Sequence, residues 1–314
     1  MKNFININDV SDYKKLVNQA IELKKSKQNN ISFNKKTLGL IFFNPSLRTR
    51  LSTFKAAQNL GMNVIEMNFD NQGWKLEFNS NVIMNSDKAE HIIEAAKVIS
   101  QYCDIVGIRS FAPLKNKKED QKEIIINSFK RYGSIPVLNL ESSCYHPLQA
   151  LADAITIEEK KIVKKPKIIL SWTPHVKPLP HAVANSFINM ATKLKYDIKI
   201  ANPKGYNLDK NITCGIEIIN DQEEAFKGAD FIYAKNWSSY DNYGKILKTE
   251  KSWTIDDKKM DLTNNGLFMH CLPIRRNIVV NDEVIDSNKS IVVEQSKNRI
   301  YSSQIILKKL INEI

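Results

Sequence analysis

A chain of 314 residues has room for about two domains, and 42% hydrophobic with 25% charged residues is a globular balance that excludes disorder, collagen and coiled coil. No apolar run approaches the roughly 18–20 residues that cross a bilayer, so no membrane partner is expected. The net charge of +12 suggests nucleic acid or an anionic ligand. Its lysines are scattered, however, at Lys14–Lys15, Lys24–Lys27, Lys35–Lys36, Lys115–Lys118 and Lys160–Lys167, the pattern of a solvated surface with one cationic pocket rather than a nucleic-acid footprint.

Apolar runs of strand length alternate with amphipathic segments along the chain, which predicts α/β architecture. The strands are expected at Leu38–Phe43, Asn63–Met67, Ile105–Ile108, Val137–Leu140, Ile168–Trp172, Asp197–Ala201, Phe231–Ala234 and Leu267–Cys271. Several are almost continuously apolar, as parallel strands covered on both faces must be. Helices are expected over Ser52–Leu60, Glu90–Ser100, Gln121–Tyr132, Leu148–Lys161 and Ala182–Lys195, with a last one over Gln304–Ile314 packing back on the first half. The lysine-rich stretch Lys160–Lys167 reads as the join between two halves. The N-terminus lacks the apolar core and cleavage site of a secretory leader. Cys103, Cys144, Cys214 and Cys271 lack metal or redox spacing, and all of this fits a cytoplasmic protein with reduced thiols.

Neither G-x-x-x-x-G-K-[ST] nor G-x-G-x-x-G occurs. Instead Phe43-Asn44-Pro45-Ser46-Leu47-Arg48-Thr49-Arg50 follows a predicted strand and opens a helix with apolar positions Leu51, Phe54, Ala57 and Leu60. Ser46 and Thr49 are candidate caps. Two hydroxyls and two arginines at a helix N-terminus form an anion site, although a capped helix with two surface arginines would read the same locally.

The wider pattern resembles the aspartate/ornithine carbamoyltransferase family over essentially the whole chain. Ser46-Leu47-Arg48-Thr49-Arg50 is similar to its S-x-R-T-R motif. His146-Pro147-Leu148-Gln149-Ala150-Leu151-Ala152-Asp153 and His270-Cys271-Leu272-Pro273 follow in family order. The resemblance implies two domains, each with a central, mainly parallel sheet flanked by helices. Residues 1–145, joined by helix 300–314, would bind carbamoyl phosphate, and residues 146–299 would bind the acceptor. Catalytic roles then fall to Arg109, His146 and Cys271, and carbamoyl phosphate contacts to Ser46, Leu47, Arg48, Thr49, Trp74, Arg109, His146, Gln149, Cys271, Leu272 and Arg299. The family's catalytic unit is a homotrimer with shared active sites, and the Trp74 of Asn71-Gln72-Gly73-Trp74 is the residue implied to reach a neighbouring copy. No cofactor is implied. Metal binding at His270 and Cys271 is not expected, because neighbours on a strand face opposite ways.

The acceptor pattern departs from that of ordinary ornithine enzymes. Where their loop begins with an acidic residue this chain has Lys235, in Tyr233-Ala234-Lys235-Asn236-Trp237. A cation there repels a free α-ammonium but tolerates an acylated nitrogen. Trp172-Thr173-Pro174-His175, Lys177-Pro178-Leu179-Pro180 and Cys271-Leu272-Pro273-Ile274-Arg275-Arg276-Asn277 resemble the N-acyl-ornithine branch, whose chains are knotted in the second domain. That resemblance implies acyl-ornithine contacts at Ala89, Glu141, His175, Lys235, Cys271, Leu272 and Arg275. Ala89 stands where the acetyl enzymes have glutamate and Val279 where they carry lysine, so N2-succinylornithine is the expected acceptor. Acetylornithine and then ornithine are the alternatives. Ala89 could also be a plain helix former at the start of helix 90–100.

Overall fold

The computed structural model describes residues 1–26, 32–69, 73–247 and 251–312. Lys27, Asn71, Gln72, Glu313 and Ile314, quoted above, lie outside them. The helices are α1 (Tyr13–Lys25), α2 (Arg48–Asn59), α3 (Ile92–Tyr102), α4 (Lys117–Gln121), α5 (Ile124–Tyr132), α6 (Pro147–Lys160), α7 (Ala182–Lys193), α8 (Lys210–Thr213), α9 (Gln222–Phe226), α10 (Asp257–Asp261), α11 (Asp282–Ile285) and α12 (Val292–Ile311). The strands are β1 (Thr37–Phe42), β2 (Asn63–Asn68), β3 (Lys75–Glu77), β4 (Lys88–His91), β5 (Ile105–Arg109), β6 (Val137–Glu141), β7 (Lys167–Trp172), β8 (Asp197–Ala201), β9 (Ile218–Ile219), β10 (Phe231–Lys235) and β11 (Leu267–Met269). None of the described helices is long and apolar enough to cross a membrane.

Two compact units divide the chain: residues 1–148 with 299–314, and residues 149–298. The division falls inside α6 and α12, not at the lysine-rich stretch. Residues 162–165 of that stretch are an exposed link from α6 to β7.

In the first unit a parallel sheet runs β2-β1-β5-β6. Every residue of β5 and β6 is buried, because helices cover both faces. The core packs Ile41, Ile108 and Val137 against Ile92, Ala96 and Ile99 of α3 and Phe129 of α5. Register aligns Phe42 of β1 with Arg109 of β5, and Arg109 with Glu141 of β6 across a register shift. The loop after β1, Arg109 and Glu141 therefore share the carboxyl edge of one sheet, where open α/β sheets bind ligands.

The second unit holds a five-stranded parallel sheet, β11-β10-β7-β8-β9. Lys235 pairs with Trp172 and Tyr233 with Met269. The segments that follow these strands, carrying His175, Lys235 and Cys271, likewise leave from one edge.

Several elements differ from expectation. The predicted helix Gln121–Tyr132 is two, broken at Glu123, a non-glycine residue at φ 46° whose carboxylate accepts the Cys144 N–H at 2.9 Å. Residues 88–91 form β4, paired with β3, so α3 starts only at Ile92, and Ala89 is an exposed strand residue rather than a helix former. The last helix begins at Val292, twelve residues before Gln304. Leu51 and Phe54 of α2 face outward at 60% and 39% exposure, while Thr49, Ser52, Thr53, Ala56 and Ala57 form the buried face. Strand β11 ends at Met269, so His270 and Cys271 lie beyond it and the alternation argument does not apply to them.

Candidate functional site

In the first unit α2 begins at Arg48 with Leu47 at its N-cap in helical conformation, and no side chain caps it. Ser46 and Thr49 therefore do not act as caps. The helix keeps its positive end and open N–H donors. Thr49 is buried within the first turn, and its Oγ1 accepts from Arg299 Nη2 at 2.6 Å. Arg50 turns aside: its guanidinium meets Asn68 and Glu66 and stacks over Phe42.

Arg109, 6% exposed, secures the loop from the other side. Its Nη1 donates to the carbonyls of Asn44 and Pro45 at 3.0 and 2.5 Å, and its Nη2 to Glu141 Oε2 at 3.2 Å. The ring of Phe111 lies 3.9 Å beneath it. Burial pulls its pKa below the ordinary arginine value, and the Glu141 carboxylate opposes that pull. Asn44 Oδ1 accepts the Phe111 N–H at 2.6 Å, tying the two loops together. Buried His146, on the residue before α6, brings Nε2 to 3.7 Å from Glu141 Oε2. Glu141, expected among the acceptor contacts, is thus grouped with Arg109 and His146 in the first unit. Trp74, half exposed, donates its indole N–H to Glu90 at 2.8 Å, beside Ala89 on β4.

In the second unit Lys235 ends β10 at 7% exposure. Its ammonium donates to its neighbour's carbonyl, Asn236 O, at 3.1 Å, and among the described residues no carboxylate forms an ion pair with it. A lysine so buried without an anionic partner is rare. His175, in the loop after β7, accepts from Arg275 Nε through Nε2 at 3.3 Å and donates through Nδ1 to the Lys177 carbonyl at 2.9 Å. Burial and then the charges of Lys235, Arg275 and Lys177 push its pKa down, against the hydrogen bond to the Lys177 carbonyl, which raises it. Lysine and arginine supply the charges that attract a carboxylate, and the imidazole orients the arginine.

Gln149 lies 1% exposed on the first turn of α6 and donates Nε2 to Asp153 Oδ1 at 2.7 Å. Cys271 is half-buried, with the hydroxyl of fully buried Tyr233 nearby. Burial, then Asp153 and Cys271, hold that hydroxyl well above the usual tyrosine pKa. Leu272 sits at φ 54°, with its N–H on His270 Nδ1 at 2.8 Å. No group of three or more His, Cys, Asp or Glu able to hold a metal occurs among the described residues.

Sequence reasoning missed Asn44 as the tie between loops, and Gln295, which accepts the His270 N–H at 2.9 Å. Asn44 follows a strand and precedes proline, a turn-forming context that signals such a role. Gln295 carries no local signal.

Residues 2–159 match the family model of the aspartate/ornithine carbamoyltransferase carbamoyl-P binding domain, and residues 180–310 match the Asp/Orn binding domain. The chain is 48% identical to the N-succinylornithine carbamoyltransferase of Bacteroides fragilis, over 100% of each chain. It is 33% identical to the N-acetylornithine carbamoyltransferase of Xanthomonas campestris, covering 100% of this chain and 98% of that one. A solved structure of N-acetyl-L-ornithine transcarbamylase, a glutamate-to-alanine variant complexed with carbamyl phosphate and N-succinyl-L-norvaline, superposes with a TM-score of 0.92 at 33% identity, covering 99% and 100% of the two chains.

Proposed function

Because the chain belongs to the aspartate/ornithine carbamoyltransferase family, we propose that it transfers the carbamoyl group of carbamoyl phosphate to the side-chain amine of N2-succinyl-L-ornithine. The products are N-succinyl-L-citrulline and phosphate, and the step belongs to arginine biosynthesis. The observation that carries this reading is the end-to-end 48% identity with N-succinylornithine carbamoyltransferase. The residues support it independently. Buried Lys235, with Arg275 and His175, suits the carboxylates of an acylated amino acid and opposes a free α-ammonium. The family resemblance implies that Ala89 stands where the acetyl enzymes carry glutamate, and a glutamate-to-alanine variant of one such enzyme is solved with a succinyl ligand.

Chemistry assigns the remaining roles. Ser46, the Leu47 N–H, Arg48, Thr49 and Arg299 hold phosphate at the uncapped start of α2. Arg109 and His146 donate to the carbonyl oxygen as it becomes an oxyanion, the position where fixed donors lower a barrier most. The neutral amine attacks the carbonyl carbon, the bond to the phosphate oxygen breaks, and the departing phosphate takes the amine proton. Glu141 faces the amine end of the acceptor, Gln149 and the Leu272 carbonyl accept from the carbamoyl NH₂, and Cys271 lines the site of attack.

The protein works in the cytoplasm as a homotrimer in which Trp74 reaches a neighbouring copy. Exposed Leu47, Leu51 and Phe54 supply apolar surface for that assembly. Resemblance to the N-acyl-ornithine branch implies a knotted path for the second unit at loop 174–180. Incubation with carbamoyl phosphate and N2-succinylornithine should release ureido product and phosphate in equal amounts. Phosphate without ureido product, or neither, would overturn the proposal.

A further inference from the structure

We propose that Asp153 is a positioning residue that orients both acceptors of the carbamoyl NH₂, the Gln149 amide carbonyl and the Leu272 carbonyl. The inference rests on the proposed carbamoyl transfer and adds to it a source of donor specificity. Asp153 is 0% exposed. Its Oδ1 accepts two side-chain N–H groups, Gln149 Nε2 and Gln295 Nε2, each at 2.7 Å. An oxygen taking two N–H groups serves only as an acceptor, whatever the proton state of Oδ2. Either glutamine amide, turned over, would put carbonyl against carboxyl oxygen. Gln149 is thereby pinned with its nitrogen toward Asp153 and its carbonyl oxygen turned away.

The second arm runs through Gln295. Its amide nitrogen is committed to Asp153, so its oxygen faces outward and accepts the His270 N–H at 2.9 Å. The His270 ring then takes the Leu272 N–H on Nδ1 at 2.8 Å. That bond closes the tight turn at Leu272, whose φ of 54° is costly for a branched residue without such support. Helix α6, helix α12 and the segment after β11 thus converge on one buried carboxylate of the second unit. An NH₂ group offers only donors, so two fixed acceptors distinguish it from a methyl group of the same size.

The test compares two competitive inhibitors of equal shape, phosphonoacetamide and 2-oxopropylphosphonate, which carry NH₂ and CH₃ respectively. Wild type should prefer the amide on the order of tenfold or more. Asp153→Leu should reduce the preference to about twofold or less while inhibition by inorganic phosphate, held by the first unit, stays unchanged. Asp153→Asn keeps an acceptor oxygen and should retain the preference. If Asp153→Leu does not fold, Gln295→Met, which cuts the His270 arm alone, should lower the preference severalfold with phosphate inhibition unchanged.

An Asp153→Leu or Gln295→Met enzyme with wild-type preference would overturn the inference. So would an Asp153→Asn enzyme that loses the preference, or equal weakening of all three inhibitors. A wild-type enzyme that turns over carbamoyl phosphate without preferring the amide would overturn it while leaving the proposed function standing. A wild-type enzyme that binds none of the three would overturn both.

Discussion

Arg109 and Glu141 face each other across β5 and β6, guanidinium to carboxylate at 3.2 Å, both nearly withdrawn from solvent. The same guanidinium holds the carbonyls of Asn44 and Pro45, so one buried ion pair fixes the loop that leads into α2. Removing one partner of such a pair strands a buried charge. Glu141→Leu should cost about 3–5 kcal/mol of unfolding free energy in urea. Glu141→Gln, which still offers an acceptor to Arg109, should cost less. Equal losses for the two would contradict the pairing.

Thr49 is the buried residue of the cradle that takes a hydrogen bond from Arg299. Thr49→Val preserves shape and removes the hydroxyl, and charge-assisted bonds contribute about 1.5–3 kcal/mol. The KM for carbamoyl phosphate should rise on the order of tenfold or more. The KM for the acyl-ornithine should stay within about twofold. Steady-state kinetics with each substrate varied in turn would show the difference.

Ala89 and Lys235 divide the selectivity between them. Ala89→Glu places a negative charge against the succinyl tail and should shift the kcat/KM ratio toward acetylornithine on the order of tenfold or more. Lys235→Met removes the buried cation. It should raise the KM of both acyl substrates and leave the KM for carbamoyl phosphate near its wild-type value. Unchanged selectivity in Ala89→Glu would refute the pocket reading.

The strand that carries Ala89 has an acid-sensitive clasp. Glu77 accepts from Lys88 Nζ at 2.9 Å and from the backbone N–H groups of Phe78 and Asn79, and these bonds lower its pKa to about 2 from an ordinary 4.5. A depressed carboxylate pKa stabilises the folded form fully above pH 4.5, and that contribution drains away as the pH falls toward about 2. Iodide quenching of Trp74, the exposed tryptophan preceding β3, should therefore increase between pH 4.5 and 2. In Glu77→Gln this step should be missing. Superimposable curves for the two proteins would contradict the clasp.

The strands of both main sheets were largely legible because a parallel strand covered on both faces is apolar at almost every position, as in β5 and β10. The short β3 and β4 have no such run, β9 is only the pair Ile218–Ile219, and β4, Lys88-Ala89-Glu90-His91, is polar enough to read as a helix start. The first half of α12 stayed hidden because, after Val292, its buried positions are Gln295, Asn298 and Arg299, which erase the apolar period. The uncapped start of α2 was misread for the opposite reason: hydroxyls stood where caps belong, yet Thr49 bonds Arg299 instead. Motifs named the site residues individually, but the link from Asp153 to Gln295 spans 142 residues and leaves no local pattern.

The acceptor is decided by kcat/KM for N2-succinylornithine, N2-acetylornithine and ornithine, measured side by side at saturating carbamoyl phosphate. Succinylornithine should rank first by on the order of tenfold or more, acetylornithine second, and ornithine close to background. Turnover of free ornithine at a rate matching or exceeding that of the succinyl compound would contradict the role given to Lys235 and, with it, the proposed acceptor.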